Sequence, residues 1–156
     1  MERWADEFFV KWQKAWGTGT EAVLEYVTDD IEYWDVTLPE PIHGRDAYAK
    51  HCDNFFTAFT DCVWTMREPV LQDGDRVTEP WAFTGVNSGP IWIGLPVTGR
   101  RLESKGTDIF EFRGDRFRLW EQLGLPLRAR GMPLSLLHCT EGVLPLWQPL
   151  PTVVTL

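Results

Sequence analysis

The sequence predicts an α+β fold, a cone-shaped α+β barrel in which N-terminal helices pack on a curved, mostly antiparallel sheet. Three observations carry this expectation. Aromatic residues recur every three or four positions in residues 2–16 and again in 45–59; from residue 62 onward, apolar and polar residues alternate in runs separated by aspartate–glycine turns; and 156 residues suit one domain with a sizeable core. The domain is expected over 1–124. Residues 125–156 carry prolines 126, 133, 145, 149 and 151 among Leu, Val and Trp147. That excludes a long helix and predicts an extended arm packing on the same domain or on a partner subunit.

Residues 2–16 place Trp4, Phe8, Trp12 and Trp16 four apart with Ala5 and Phe9 alongside, an amphipathic helix with an aromatic stripe. Gly17 and Gly19 end it, and Thr18 with Glu21 has capping-box spacing for a short helix through about Val27. Asp29 and Asp30 mark a turn before a strand, Ile31 to Thr37. The proline-containing loop LPEPIHG follows, and then a second helix, Arg45 to Phe59, whose core stripe is Tyr48, Cys52, Phe55, Phe56 and Phe59. His51 lies on its flank. Strands are then expected over Cys62–Leu71, Arg76–Gly85, Arg100–Phe112 and Arg116–Leu123, with turns at Asp73-Gly74-Asp75 and Gly114-Asp115.

Acids fall on the apolar faces of these strands. Successive side chains point to opposite sides of a sheet, so Asp108 shares a face with Leu102, Phe110 and Phe112. By the same count Glu79 joins Val77, Trp81 and Phe83, and Glu121 joins Phe117, Leu119 and Leu123. Asp35 points inward if Ile31 and Tyr33 do, and Pro80 is a point where a bulge would reverse the parity around Glu79. A carboxylate on an apolar face is costly unless it is paired, hydrogen-bonded or used. Four of them predict a polar floor inside an apolar pocket.

Composition narrows the function. Lys plus Arg number 15 against 23 Asp plus Glu, a formal charge of -8, which disfavours nucleic acid and anionic membranes as partners. Cys52, Cys62 and Cys139 show no metal-ligand spacing, and neither do His43, His51 and His138, so no metal site is expected. No glycine-rich loop has a dinucleotide or phosphate signature, and no cofactor is expected. The N-terminus has no signal-peptide pattern and no run nears the roughly 18 apolar residues of a membrane span. A cytoplasmic protein is expected.

The sequence resembles the SnoaL-like polyketide cyclases of the nuclear-transport-factor-2-like superfamily over roughly residues 5–124. The resemblance rests on VTDDIEYWD (27–35), IHGRDAYAKHCDNFFTAFTD (42–61) and GPIWIGLPVTGRRLESKGTDIFEFRGDRF (89–117). Over TEAVLEYVTDDIEYWD it is also similar to ketosteroid isomerase, whose catalytic base falls on Asp35 and whose protonated oxyanion-binding aspartate falls on Asp108. The tyrosine donor of that isomerase would fall near Lys11 or Trp12, so steroid isomerisation is not implied. Asn87 stands where the cyclases often carry a histidine, and Glu121 is the nearest acid to their catalytic aspartate after the last strand.

The resemblance implies a cofactor-independent cyclase or isomerase of secondary metabolism, acting by carboxylate general acid–base catalysis on an apolar polyketide-like intermediate, and a homodimer. Asp35 is the expected base, at a strand end near the open mouth. Asp108 is the expected protonated donor, with Glu79 or Glu121 tuning the pair. Trp12, Tyr33, His51, Phe55, Phe59, Trp64 and Trp81 are the expected substrate-binding residues. Two alternatives stand beside this: an epoxide-opening or pyran-forming cyclase or hydrolase of the same fold, and a non-catalytic binding or dimerisation module whose inward acids pair with Arg118 or with backbone donors.

Overall fold

Helices lead and strands follow, as the hydrophobic periods dictate. The computed structural model describes residues 4–94, 96–124 and the backbone of 128–129. In order along the chain these are α1 (Trp4–Ala15), α2 (Thr20–Leu24), β1 (Val27–Asp35), β2 (Ile42–His43) and α3 (Arg45–Ala58). Then come β3 (Phe59–Met66), β4 (Leu71–Asp73), β5 (Arg76–Asn87), β6 (Arg101–Arg113), β7 (Arg116–Gly124) and β8 (Arg128–Ala129). The expected arm otherwise lies outside the described residues.

One sheet runs in the order β2-β1-β7-β6-β5-β3, with β4 added to β5 and β8 to β6. The β1–β7 pair is parallel and every other pair is antiparallel. β2 and β3 do not pair with each other, so the sheet stays unclosed. α1 packs against β3, and α3 against both β1 and β3, so the curved inner face wraps the helices.

In α1 the four-residue spacing of the aromatic stripe lags the 3.6-residue turn and drifts around the helix. Trp4 at its start is therefore 43% exposed while Trp12 and Trp16 are buried. Several expected boundaries move. Thr18 does not cap α2: its hydroxyl donates to the Lys14 carbonyl, closing the end of α1, and Gly19 occupies the cap position. Val27 is already in β1, and Asp29 and Asp30 are exposed residues of that strand, where its pairing with β7 shifts register. β1 ends at Asp35, short of Thr37. Phe59 opens β3 instead of closing α3. The expected 62–71 strand divides around Pro69, which lacks the N–H a ladder needs.

Pro80 does not reverse the parity of β5. Its carbonyl accepts from Arg67 N, so its ring nitrogen faces the gap between the stretches of β5 that pair with β3 and with β4, where no ladder bond is lost. β7 is where parity breaks. Glu111 pairs with Leu119 but Phe112 with Phe117, leaving Arg118 as an extra residue. Its guanidinium is held by Glu111. Beyond this bulge Trp120 points inward, and Glu121 lies on the outer face between Trp34 and Ile109.

Gly106 makes room for Trp81. The two are cross-strand partners, and a Cβ on Gly106 would come 2.4 Å from the Trp81 ring and 2.8 Å from the Gly124 Cα. Gly106→Ala should therefore lower stability by about 1–3 kcal/mol, the usual scale of overpacking, measured by urea unfolding. An unchanged unfolding midpoint would contradict this placement of the indole.

Candidate active site

The inward acids form one row across the sheet. Glu79 of β5 pairs with Asp108 of β6, Asp108 pairs with Gln122 of β7, and Gln122 pairs with Asp35 of β1. Neighbouring strands lie about 4.8 Å apart, so four polar side chains stand side by side. On one side of this row runs Val77, Phe110, Trp120 and Tyr33, and on the other Trp81 stands opposite Gly106 and Gly124. Glu79 and Asp108 are each 2% exposed and Asp35 is 5% exposed. The expected polar floor therefore exists, with one correction: Gln122 fills the inward place expected for Glu121, because the Arg118 bulge shifts the parity.

Asp108 is held from both flanking rows. The Trp81 indole N–H donates to its Oδ1 at 2.5 Å and the Trp120 indole N–H to its Oδ2 at 2.9 Å. Burial pushes its carboxyl well above the usual range and Glu79 adds to that, against the pull of the two indoles. Glu79 accepts from the Gln13 amide of α1 and is pushed up to about 8, chiefly by burial. Burial thus favours the neutral form of both acids. No lysine or arginine appears among the buried residues described, and Arg118, a partner considered for these acids, binds Glu111 on the outer face.

The Asp35 end is built differently. Oδ1 accepts from the Thr37 backbone N–H at 2.6 Å and from the Thr37 hydroxyl, and Oδ2 accepts from the Tyr33 hydroxyl at 2.8 Å. His51 Nε2 of α3 lies 3.5 Å from Oδ2. Tyr33 Oη also contacts Gln122 at 2.8 Å. That contact is to Gln122 Oε1, so Asp35 Oδ2 and the Gln122 carbonyl oxygen are two acceptors for the one phenol proton. Burial lowers the His51 pKa, with Asp35 opposing, and raises that of Tyr33 well above its usual value.

Most of the expected substrate-binding residues wall this row. Trp12 packs edge-on against Trp120, with ring centroids 5.2 Å apart, and Trp64 against Trp81 at 4.9 Å. Phe55 and Phe59 meet at Phe83. The buried Trp64 indole N–H makes no hydrogen bond among the described residues, and the Tyr48 hydroxyl faces the Cys52 thiol. Sequence reasoning missed Gln13, Trp92, Trp120 and Gln122. Gln13 follows Trp12 on an amphipathic helix, which was a usable signal, whereas Trp120 and Gln122 turn inward only because of the bulge. Asn87 is structural: its side chain donates to the Ala58 and Gly89 carbonyls and accepts from the Thr98 N–H and hydroxyl, fastening the loop after β5. Among the described residues no three His, Cys, Asp or Glu side chains are grouped to hold a metal ion.

A helix-lined, unclosed sheet of this kind has known counterparts. The SnoaL-like domain model matches residues 9–120. The chain belongs to the SnoaL-like domain family. Its fold matches that of a protein assigned as a SnoaL-like polyketide cyclase from Jannaschia sp. CCS1, with a TM-score of 0.66 at 18% identity, over 76% of this chain and 83% of that one. A protein assigned as a polyketide cyclase from Acidithiobacillus ferrooxidans gives 0.65 at 24% identity, over 77% and 87%. A protein with a ketosteroid isomerase-like fold from Catenulispora acidiphila, in complex with trimethylamine, gives 0.59 at 18%, over 74% and 83%. No curated protein sequence matches the chain. No described helix of this SnoaL-like protein is long and apolar enough to cross a membrane.

The raised acids fix a sign for the pH dependence of stability. Unfolded Asp and Glu titrate near 4 while Glu79 titrates at about 8 and Asp108 well above its usual value, so between these values the folded chain binds more protons. Stability should fall as pH rises from about 4 to about 8. His51 acts in the opposite sense near its unfolded value of about 6.5, so the difference between wild type and Glu79→Gln isolates the acid. Glu79→Gln should flatten the decline and melt a few degrees above wild type at pH 8, the shift that about 1 kcal/mol gives in a domain of this size. A parallel pH profile of melting temperature in the two proteins would contradict the burial of an ionisable Glu79.

Proposed function

We propose that this SnoaL-like protein closes rings in, or isomerises, an apolar polyketide-like intermediate of secondary metabolism by general acid–base catalysis without a cofactor. The observation that carries this is Asp108, a buried carboxyl whose two oxygens accept from two indoles and whose neutral form keeps a proton for a ligand. The family's polyketide cyclase-like members support the reaction class.

An intramolecular aldol closure needs little else. One proton leaves the carbon next to a carbonyl, a carbon–carbon bond forms, and one proton arrives on the new oxygen, so the product is an isomer and no electrons are exchanged with a partner. The acceptor for the first proton is the Asp35–His51 pair, and Asp108 donates the second. Glu79 beside Asp108 keeps that donor's pKa high, so the acid is regenerated once the first proton returns. The aromatic walls favour a folded apolar chain over an extended one, which brings the reacting carbons together. Trp64 Nε1 is a further donor for the oxygens of such a chain.

Conversion of an apolar poly-β-keto ester to a product of unchanged mass, followed by mass spectrometry and NMR, tests this. Asp108→Asn should lower turnover about 100-fold or more, the scale of a lost general acid, with the circular dichroism spectrum preserved. Turnover at the wild-type level in Asp108→Asn would sink the proposal.

A further inference from the structure

The Asp35 end of the polar row holds two groups able to accept a proton, and their surroundings differ. Asp35 is engaged by the protein on both oxygens. Thr37 N–H and Oγ1 donate to Oδ1, Tyr33 Oη donates to Oδ2, and His51 Nε2 faces Oδ2 at 3.5 Å. A carboxylate offers about four lone-pair sites; three hydrogen bonds address three of them, and the His51 imidazole faces Oδ2 beside them.

His51 is placed otherwise. With the Nε2 proton turned to Asp35, its second nitrogen Nδ1 makes no hydrogen bond among the described residues and keeps its lone pair. The ring is fixed between Tyr33, 4.9 Å away at 43°, and Trp92, 5.0 Å away at 68°. Trp92 also ties the assembly together, since its indole N–H donates at 3.1 Å to the Thr37 hydroxyl that serves Asp35. The ionisable groups facing His51 from β1 are Asp35 and Tyr33. On α3 itself Tyr48 and Cys52 are held neutral by burial, while Lys50 and Asp53 are exposed.

We infer that His51 is the catalytic base of this site, taking the substrate proton on Nδ1, and that Asp35 is a positioning residue acting through it. This rests on the acid–base reading above and names the acceptor within the pair. In the step, the C–H bond next to the carbonyl breaks, its proton goes to Nδ1, and the electron pair moves to the carbonyl oxygen. Asp35 orients the ring and favours the imidazolium that forms. Burial keeps the resting imidazole neutral and so able to accept.

The test uses 5-nitrobenzisoxazole, a small apolar carbon acid. A base removes its ring C–H proton, the N–O bond opens, and a nitrile and a coloured phenolate appear. His51→Gln should lower the rate by about 100-fold or more, and Asp35→Asn by less. The pH–rate profile of the wild type should give an apparent pKa equal to that of His51 measured by NMR, a comparison that needs no variant. In Asp35→Asn both values should fall together, because the Asp35 charge is what holds the imidazole up. A rate retained in His51→Gln but lost in Asp35→Asn would overturn the assignment and leave the acid–base reading of the pair standing. A wild-type rate no higher than that of His51→Gln would also overturn it, as would a profile that departs from the His51 titration. The poly-β-keto ester assay on Asp108→Asn tests the wider reading separately.

Discussion

Two indole N–H groups meeting one carboxyl group hold the inner face of this sheet in register. Trp81 comes from β5, Trp120 from β7, and Asp108 stands on β6 between them. A buried carboxyl without partners costs several kcal/mol. With partners on both neighbouring strands it links three strands through their side chains. The consequences reach outward: Gly106 and Gly124 are small because the Trp81 ring lies over them, and the Arg118 bulge is needed because without it Trp120 would face away.

The same contacts set the chemistry. Indole N–H groups are donors that cannot ionise, so they orient Asp108 without supplying the positive charge that would keep it deprotonated. An arginine there would have produced a structural ion pair. Glu79 on the next strand reinforces the neutral form. At the other end of the row hydroxyl and amide donors bind Asp35 and an imidazole faces it. The two ends of one cross-strand row are thus built from different partners, and the helices supply one to each, Gln13 to Glu79 and His51 to Asp35. Ionisable groups buried at this density work against stability, which is the usual condition of a site shaped for function.

Much of this was legible in the sequence, for a physical reason. β5 and β6 are long and regular, so period-two alternation put Glu79 and Asp108 inward correctly. The inward choice for Asp35 followed from Ile31 and Tyr33 and also held. Glu121 failed because a bulge is a property of pairing between strands: nothing in RFRLWEQLG alone requires Arg118 to be the extra residue. The partners of the acids were hidden for a related reason. Trp120 and Gln122 reach them by cross-strand register, which leaves no local periodicity; His51 was expected in the site, but its place beside Asp35 depends on helix-to-sheet packing. Asn87 was visible as a departure from the cyclase pattern, yet only the fold shows that its amide fastens a loop and does not address the acids.

The central claim is that Asp108 carries a proton at neutral pH. Infrared difference spectroscopy on protein labelled with 13C-aspartate tests it directly, through the carbonyl stretch of a protonated carboxyl group. The account predicts such a band at pH 7, shifted by the label and missing from Asp108→Asn. A spectrum at pH 7 that shows only ionised aspartate would contradict it.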